Sequence, residues 1–184
     1  MKKIILTFIL LTGFYSNSQE TEFTFNSERG MTDYIVTQVE GKTAPEIYKK
    51  VIDWIKVTYK NPNEVILSTI ENEYVRFEGI TNEIDTFKYK YQIELSVKEG
   101  KYKFDLIGLQ FYLETNTYGN MGWNNSMVNF NTNSTKEEVK NLFRKDGTYR
   151  NYLEYVPKVP IFLNNLNKSI LESITSTLKK GDGW

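Results

Sequence analysis

The 184-residue chain contains no histidine and no cysteine, so the remaining residue types must supply any chemistry. Without imidazole or thiol there is no Ser-His or Cys-His nucleophile, no Cys/His zinc site, no haem or thiolate ligation and no redox disulfide. Carboxylates, lysine, tyrosine, serine and oxygen-only metal sites remain. A glycosidase of the paired-carboxylate kind needs two acids about 5–10 Å apart across a cleft. The aspartates Asp33, Asp53, Asp85, Asp105, Asp146 and Asp182 show no spacing that marks such a pair. Asp105 alternates with Lys103 and Ile107 and is read as a solvated sheet position opposite Lys88 or Lys90. Glu137-Glu138 is a helix-start pair favoured by the dipole. A lysine nucleophile needs desolvation or a cationic neighbour. Lys88 and Lys90 share a strand face, but they read as an exposed basic row. With Lys98, Lys101 and Lys103 that row would discourage edge pairing. The chain has no Gly-rich phosphate loop, calcium-loop pattern or nucleophile elbow. No catalytic residue, no metal ligand and no cofactor is assigned.

One segment has the composition of a binding site. Tyr118-Gly119-Asn120-Met121-Gly122-Trp123-Asn124-Asn125 joins aromatic faces to amides, a combination suited to flat polar ligands such as sugars. Tyr118, Trp123, Asn124 and Asn125 are the candidate ligand contacts. The competing reading makes Trp123 and Met121 a plug for the open end of the core, with the asparagines as turn formers.

The elements that would position these residues follow from periodicity. Met1-Lys2-Lys3, the apolar run Ile4–Leu11, and the small residues Ser16 and Ser18 form a secretory signal pattern. Residues 1–18 are therefore expected to be a signal peptide cleaved before Gln19. No cysteine follows the apolar run, so no lipid anchor is expected, nor stable membrane insertion once the signal is gone. Residues 19–184 are long enough for one domain held by its core, without disulfides. The 23 basic and 23 acidic residues balance, and removal of Lys2 and Lys3 leaves a slight acidic excess. Nothing here resembles a nucleic-acid-binding stripe.

Glu20–Arg29 reads as a polar lead-in and Tyr34–Val39 as a first strand. Thr43 and Glu46 form a capping box around Pro45, opening a helix whose face carries Ile47, Val51, Trp54, Ile55 and Thr58. Tyr48, Ile52 and Tyr59 broaden that face, Trp54 reads as core, and Asn61-Pro62 ends the helix. Val65–Ile70 and Tyr74–Ile80 are strands joined by a turn at Glu71-Asn72-Glu73. From Phe87 to Lys98 the alternation is strict: Phe87, Tyr89, Tyr91, Ile93, Leu95 and Val97 face one way, and Lys88, Lys90, Gln92, Glu94, Ser96 and Lys98 face the other. One side must therefore cover a core while the other meets water. Glu99-Gly100 turns into a fourth strand of this series with a phase change. Tyr102, Phe104 and Leu106 are apolar at even positions, and Leu109, Phe111 and Leu113 at odd ones. A β-bulge at Ile107-Gly108 would keep both sets inward. Asn116–Asn133 reads as a long ordered loop with a short strand near Met127–Phe130. Ser134 or Thr135 caps a short helix carrying Val139, Leu142 and Phe143, which stops at Asp146-Gly147. A final helix carries Phe162, Leu163, Leu166, Ile170, Leu171, Ile174 and Leu178, closing near Gly181.

Strands followed by helices indicate an α+β fold: a curved antiparallel sheet of about five strands with two main helices packed on one face. The helix Thr43–Ile55, the run Tyr59–Ile66, the hairpin to Gly79 and the strand pair Tyr89–Leu113 together resemble an uncharacterised family of exported Bacteroidetes proteins. That family is described as a domain of unknown function with a TATA-binding-protein-like fold. The resemblance spans Met31–Thr117 and leaves residues 118–184 uncovered. It implies a fold, with no catalytic or binding residue to carry over, and the fold name implies no DNA binding.

The sequence thus leads to an exported, non-enzymatic binding or assembly module of the bacterial envelope. Its partner would be an envelope protein or a glycan, met by the helix-free sheet face or by the Asn-rich loop. The alternative is a carbohydrate-directed protein, either a glycan-binding module or a weak carboxylate hydrolase, using Tyr118–Asn125. A structural domain of a larger secreted assembly is the third possibility.

Overall fold

The structure, a computed structural model, describes residues 20–26, 28, 30–115, 120–126, 139–150 and 153–176. The signal pattern at 1–18, Tyr118, the expected strand at Met127–Phe130, the cap at Ser134 or Thr135, Glu137-Glu138 and the helix end beyond Ser176 lie outside the described residues.

Alternating apolar positions build the centre of the molecule. Strands β4 (Ile66–Ile70), β5 (Tyr74–Thr81), β6 (Tyr89–Lys98) and β7 (Lys101–Leu113) form an antiparallel meander, and β3 (Tyr34–Gln38) adds to β7. The order is β3-β7-β6-β5-β4, with β8 (Gly122–Asn125) also paired to β7. β3 pairs with Lys101–Asp105 and β8 with Gln110–Leu113, so the two short strands share one side of β7 at its opposite ends. β6 and β7 are interior strands. The lysines on them therefore protect no edge, contrary to the edge-protection reading.

The phase change in β7 is resolved by a bulge. Gln92 pairs with Gly108 and Ile93 with Leu106, leaving Ile107 as the extra residue. Leu106 and Leu109 are both buried as a result. The extra residue absorbs the half-period slip that would otherwise turn Leu109, Phe111 and Leu113 outward.

Two helices cover one face. The capping box opens α1 (Ala44–Thr58): Thr43 Oγ1 accepts from the Glu46 amide, and the Glu46 carboxylate accepts from the Thr43 amide at 2.8 Å. Ile47, Val51, Trp54 and Ile55 are buried, whereas Thr58 is exposed. The apolar stripe drifts off the core in the last turn, and Tyr59 closes the helix instead of Asn61-Pro62. Pro62 opens a single turn, α2 (Pro62–Val65). α3 (Lys158–Thr175) packs beside α1, and the Trp54 indole donates to Ser169 Oγ at 3.0 Å. Tyr91 meets Phe162 edge-on, and Trp54 and Tyr59 pack around Phe77.

Three details depart from the sequence reading. The stretch from Glu20 is not simply polar lead-in: Phe23 is 2% exposed, against Phe104. The Asn164 side chain bonds both the N–H and the C=O of Phe23. β1 (Phe25–Asn26) and β2 (Gly30–Met31) follow as a small hairpin. After Lys140 the chain forms turns instead of helix, with Phe143 bridged to Tyr149 around Asp146-Gly147. The Asp146 carboxylate, accepting from the Thr148 amide and hydroxyl, is held below its ordinary value. Finally, the apolar face of α3 includes a buried Asn167. It accepts from the Tyr102 hydroxyl at 2.6 Å and donates to Thr37 Oγ1 at 3.1 Å, tying α3 to β7 and β3.

Candidate functional site

The helix-free face of the sheet carries the outward halves of the alternating strands. Across it, cross-strand rows run from the β6–β7 hairpin towards β8. The row at the hairpin sets Lys98 opposite Lys101, and in the rows beyond it the charges pair within the sheet. Arg76 meets Glu94 at 2.6 Å and Lys103 meets Asp105 at 2.6 Å. The Gln92 amide donates to Glu78 at 2.8 Å. Asp105 therefore lies opposite Glu94, not opposite Lys88 or Lys90. Two carboxylates facing each other on adjacent strands repel, and Arg76 and Lys103 offset that repulsion.

The last two rows differ. Ile80, Lys90, Gln110 and Asn125 form one, and Tyr112 with Trp123 the next. Tyr112 lies between Phe111 and Leu113, which turn towards the core, so Tyr112 and its partner Trp123 stand on the open face. Their rings pack edge-to-face with centroids 5.2 Å apart. The Lys90 ammonium sits 4.9 Å from the centre of the Trp123 ring, a cation–π contact. Beside them a shallow depression of about 450 Å³ is lined by Ile80, Lys88, Tyr112, Glu114, Met121 and Trp123. Met121 is 70% exposed and Ile80 61%, apolar surface that the fold has not buried.

This arrangement corrects the reading of the Asn-rich segment. Trp123 is neither a plug nor on a loop. It sits half-buried on the edge strand β8, outside the core cluster. Asn124 pairs with Phe111, and its amide N–H₂ donates to the carbonyls of Asn120 and Gly122. It closes the turn into β8 and is not placed to read a ligand. Asn125 is exposed on the open face, where its side-chain oxygen accepts from Gln110 at 3.1 Å. The candidate contacts are thus Trp123 and Asn125, without Asn124, and Tyr118 lies outside the described residues. Sequence reasoning missed Tyr112, Lys88, Lys90, Ile80 and Glu114 as neighbours of Trp123. The odd–even phase of β7 already assigned Tyr112 to the outer face, but only the β7–β8 pairing brings it to Trp123.

Glu114 is the one carboxylate among the residues lining the depression. Among the described residues no cluster of three or more acidic side chains is placed to hold a metal ion. No helix of the described residues is long and apolar enough to cross a membrane.

The tyrosine hydroxyls with raised pKa values belong mainly to the framework. Burial raises Tyr59, Tyr89, Tyr91 and Tyr102 above the ordinary value. Tyr59 and Tyr91 share a hydrogen bond of 2.7 Å on the helix-covered side of the sheet, away from the depression.

The sequence matches no family model and no curated protein. Two solved structures align with most of the chain. A DUF4468 family protein from Bacteroides ovatus aligns over 80% of this chain and 88% of its own, with a TM-score of 0.56 and 14% identity. A TBP-like protein from Parabacteroides distasonis aligns over 78% of this chain and 91% of its own, with a TM-score of 0.49 and 11% identity. The resemblance read from the helix and hairpin residues is met, at the level of fold. The structural likeness to the first protein also reaches well beyond Met31–Thr117.

Proposed function

We propose that the chain is an exported, non-enzymatic binding module that engages a component of the bacterial cell envelope through the β8 end of its open sheet face. The observation that carries this reading is the placement of Trp123 on Tyr112 beside the depression. Large side chains left half-exposed around a concavity, where the core does not need them, are the usual anatomy of a binding site. The two contact surfaces expected from the sequence, the helix-free face and the Asn-rich segment, merge into one because β8 extends that face. Export rests on the cationic start and apolar run of residues 1–18. A glycan suits the site as the envelope component, since apolar ring surface adjoins the amides of Gln110 and Asn125. Hydrolysis is less well supported, because the reaction needs two carboxylates and Glu114 is the one carboxylate among the described residues lining the depression.

The test uses the full chain with a C-terminal tag, expressed in a bacterial host. Mass spectrometry of the periplasmic fraction should find an N-terminus at or near Gln19; an unprocessed cytoplasmic product sinks the export reading. The purified mature protein is then applied to isolated cell envelopes and to a glycan array. Retention by the native protein and its loss in Trp123→Ala support the binding surface. Equal retention by both, or none by either, overturns it.

A further inference from the structure

The open face separates its charges in a way that points to the ligand. Rows in the middle of the face neutralise their cations internally: Arg76 is paired with Glu94, and Lys103 with Asp105, whereas Lys98 and Lys101 face each other at the β6–β7 hairpin, far from Trp123 along the strands. Lys88 and Lys90, at the β8 end, have no ion-pair partner among the described residues. Lys88 lines the depression and Lys90 stands at its rim, over Trp123. Two like charges two residues apart on one strand face repel each other. Glu114 also lines the depression but forms no ion pair with either lysine, so two cations stand against one carboxylate. A bound anion would relieve the repulsion and form charge-assisted hydrogen bonds with both ammonium groups.

We infer that the depression takes a carboxylated saccharide, a uronic-acid unit whose carboxylate meets Lys88 and Lys90 while its ring lies on the apolar wall of Trp123, Ile80 and Met121. The inference rests on the reading of this face as the binding surface. Three features favour a sugar acid over an acidic peptide. The depression opens on the face of the sheet, so a ligand seated in it meets side chains and does not lie along the outer backbone of β8, where a peptide would be read by strand addition. The wall presents ring and aliphatic surface, which suits the apolar side of a pyranose. The adjoining Gln110–Asn125 amide pair has N–H and C=O groups without partners among the described residues, available to hydroxyls. The cation–π contact holds Lys90 in place before the ligand arrives, so less side-chain freedom is lost on binding.

Calorimetric titration of the mature protein tests this with oligosaccharides of galacturonate, mannuronate and hyaluronan, the methyl ester of the galacturonate oligomer, and polyglutamate. At least one acidic saccharide should bind. Its affinity should fall with added salt, and galacturonate should lose tenfold or more on esterification. Lys88→Gln with Lys90→Gln should weaken the acidic sugar by a similar factor while leaving circular dichroism unchanged. Trp123→Ala should abolish binding. If ester and acid bind equally, or polyglutamate alone binds, the open face remains the binding surface but the assignment of a sugar acid fails. If no acidic saccharide binds, the assignment also fails. Retention on envelopes then decides separately whether the surface reading survives.

Discussion

Two tryptophans show how one residue type serves two ends. Trp54 lies in the core against Phe77 and Tyr59, with its N–H bonded to Ser169. Trp123 stands on the open face with Tyr112 and Lys90. Trp54→Ala should destabilise by about 3–5 kcal/mol, as deletion of a buried aromatic does. Trp123→Ala should cost about 1 kcal/mol, the size of an exposed aromatic pair. Urea denaturation of both variants measures the contrast, and equal losses would place Trp123 in the framework. Gly79 is a second site where one atom matters. A Cβ there would overlap the Tyr91 hydroxyl and ring, which the Tyr59 bond holds in place. Gly79→Ala should therefore lower stability by about 1–3 kcal/mol. Combining it with Tyr91→Leu should give less than the sum of the two single losses, because the smaller side chain removes the clash.

Among the elements, β7 carries the most information. Its bulge lets one strand present Tyr102, Phe104, Leu106, Leu109 and Leu113 to the core and Lys103, Asp105, Gln110 and Tyr112 to the open face. Deleting Ile107 would remove the extra residue and leave a plain strand in which Leu106, Leu109, Phe111 and Leu113 still alternate inward with the same β6 partners. The deletion variant should therefore keep a cooperative denaturation transition and a native-like near-ultraviolet circular dichroism. Loss of both would show that the local twist of the bulge, and not only the phase it sets, is needed by the sheet. The bulge and the capping box of α1 were legible in the sequence because each is written in residues close along the chain. β8 was not legible: Gly122–Asn125 has no alternation of its own, and its strand geometry comes from pairing with Gln110–Leu113. The lead-in was misjudged for the same reason, since Phe23 is held by Asn164, 141 residues away.

At the scale of the molecule, the described residues from Phe23 to Ile174 share one apolar cluster that stabilises the fold. That cluster contains tyrosines, which gives the fold a pH dependence. Tyr59, Tyr89, Tyr91 and Tyr102 keep their protons above the ordinary tyrosine value, chiefly because burial disfavours the phenolate. The unfolded chain releases those protons near pH 10 while the folded chain holds them, so the unfolded state binds fewer protons there. Stability contributed by these groups is complete below that pH and falls as the pH rises further. Guanidinium midpoints should be unaffected by these tyrosines up to about pH 9 and then drop above the ordinary tyrosine range, with tyrosinate absorbance appearing together with unfolding. Absorbance rising well before unfolding would show that the hydroxyls are reachable in the folded state.

Composition alone removed histidine and cysteine chemistry, and local periodicity alone specified α1, the β4–β7 meander and the face each residue of β6 turns to the core. These are short-range properties, fixed by capping, by strand alternation and by turns within a few residues. Only the tertiary structure brought Trp123 onto Tyr112, left Lys88 and Lys90 without carboxylate partners among the described residues, and turned Asn124 back on its own backbone. Those outcomes depend on which strands lie side by side, and that is settled by long-range pairing and burial that no local pattern encodes.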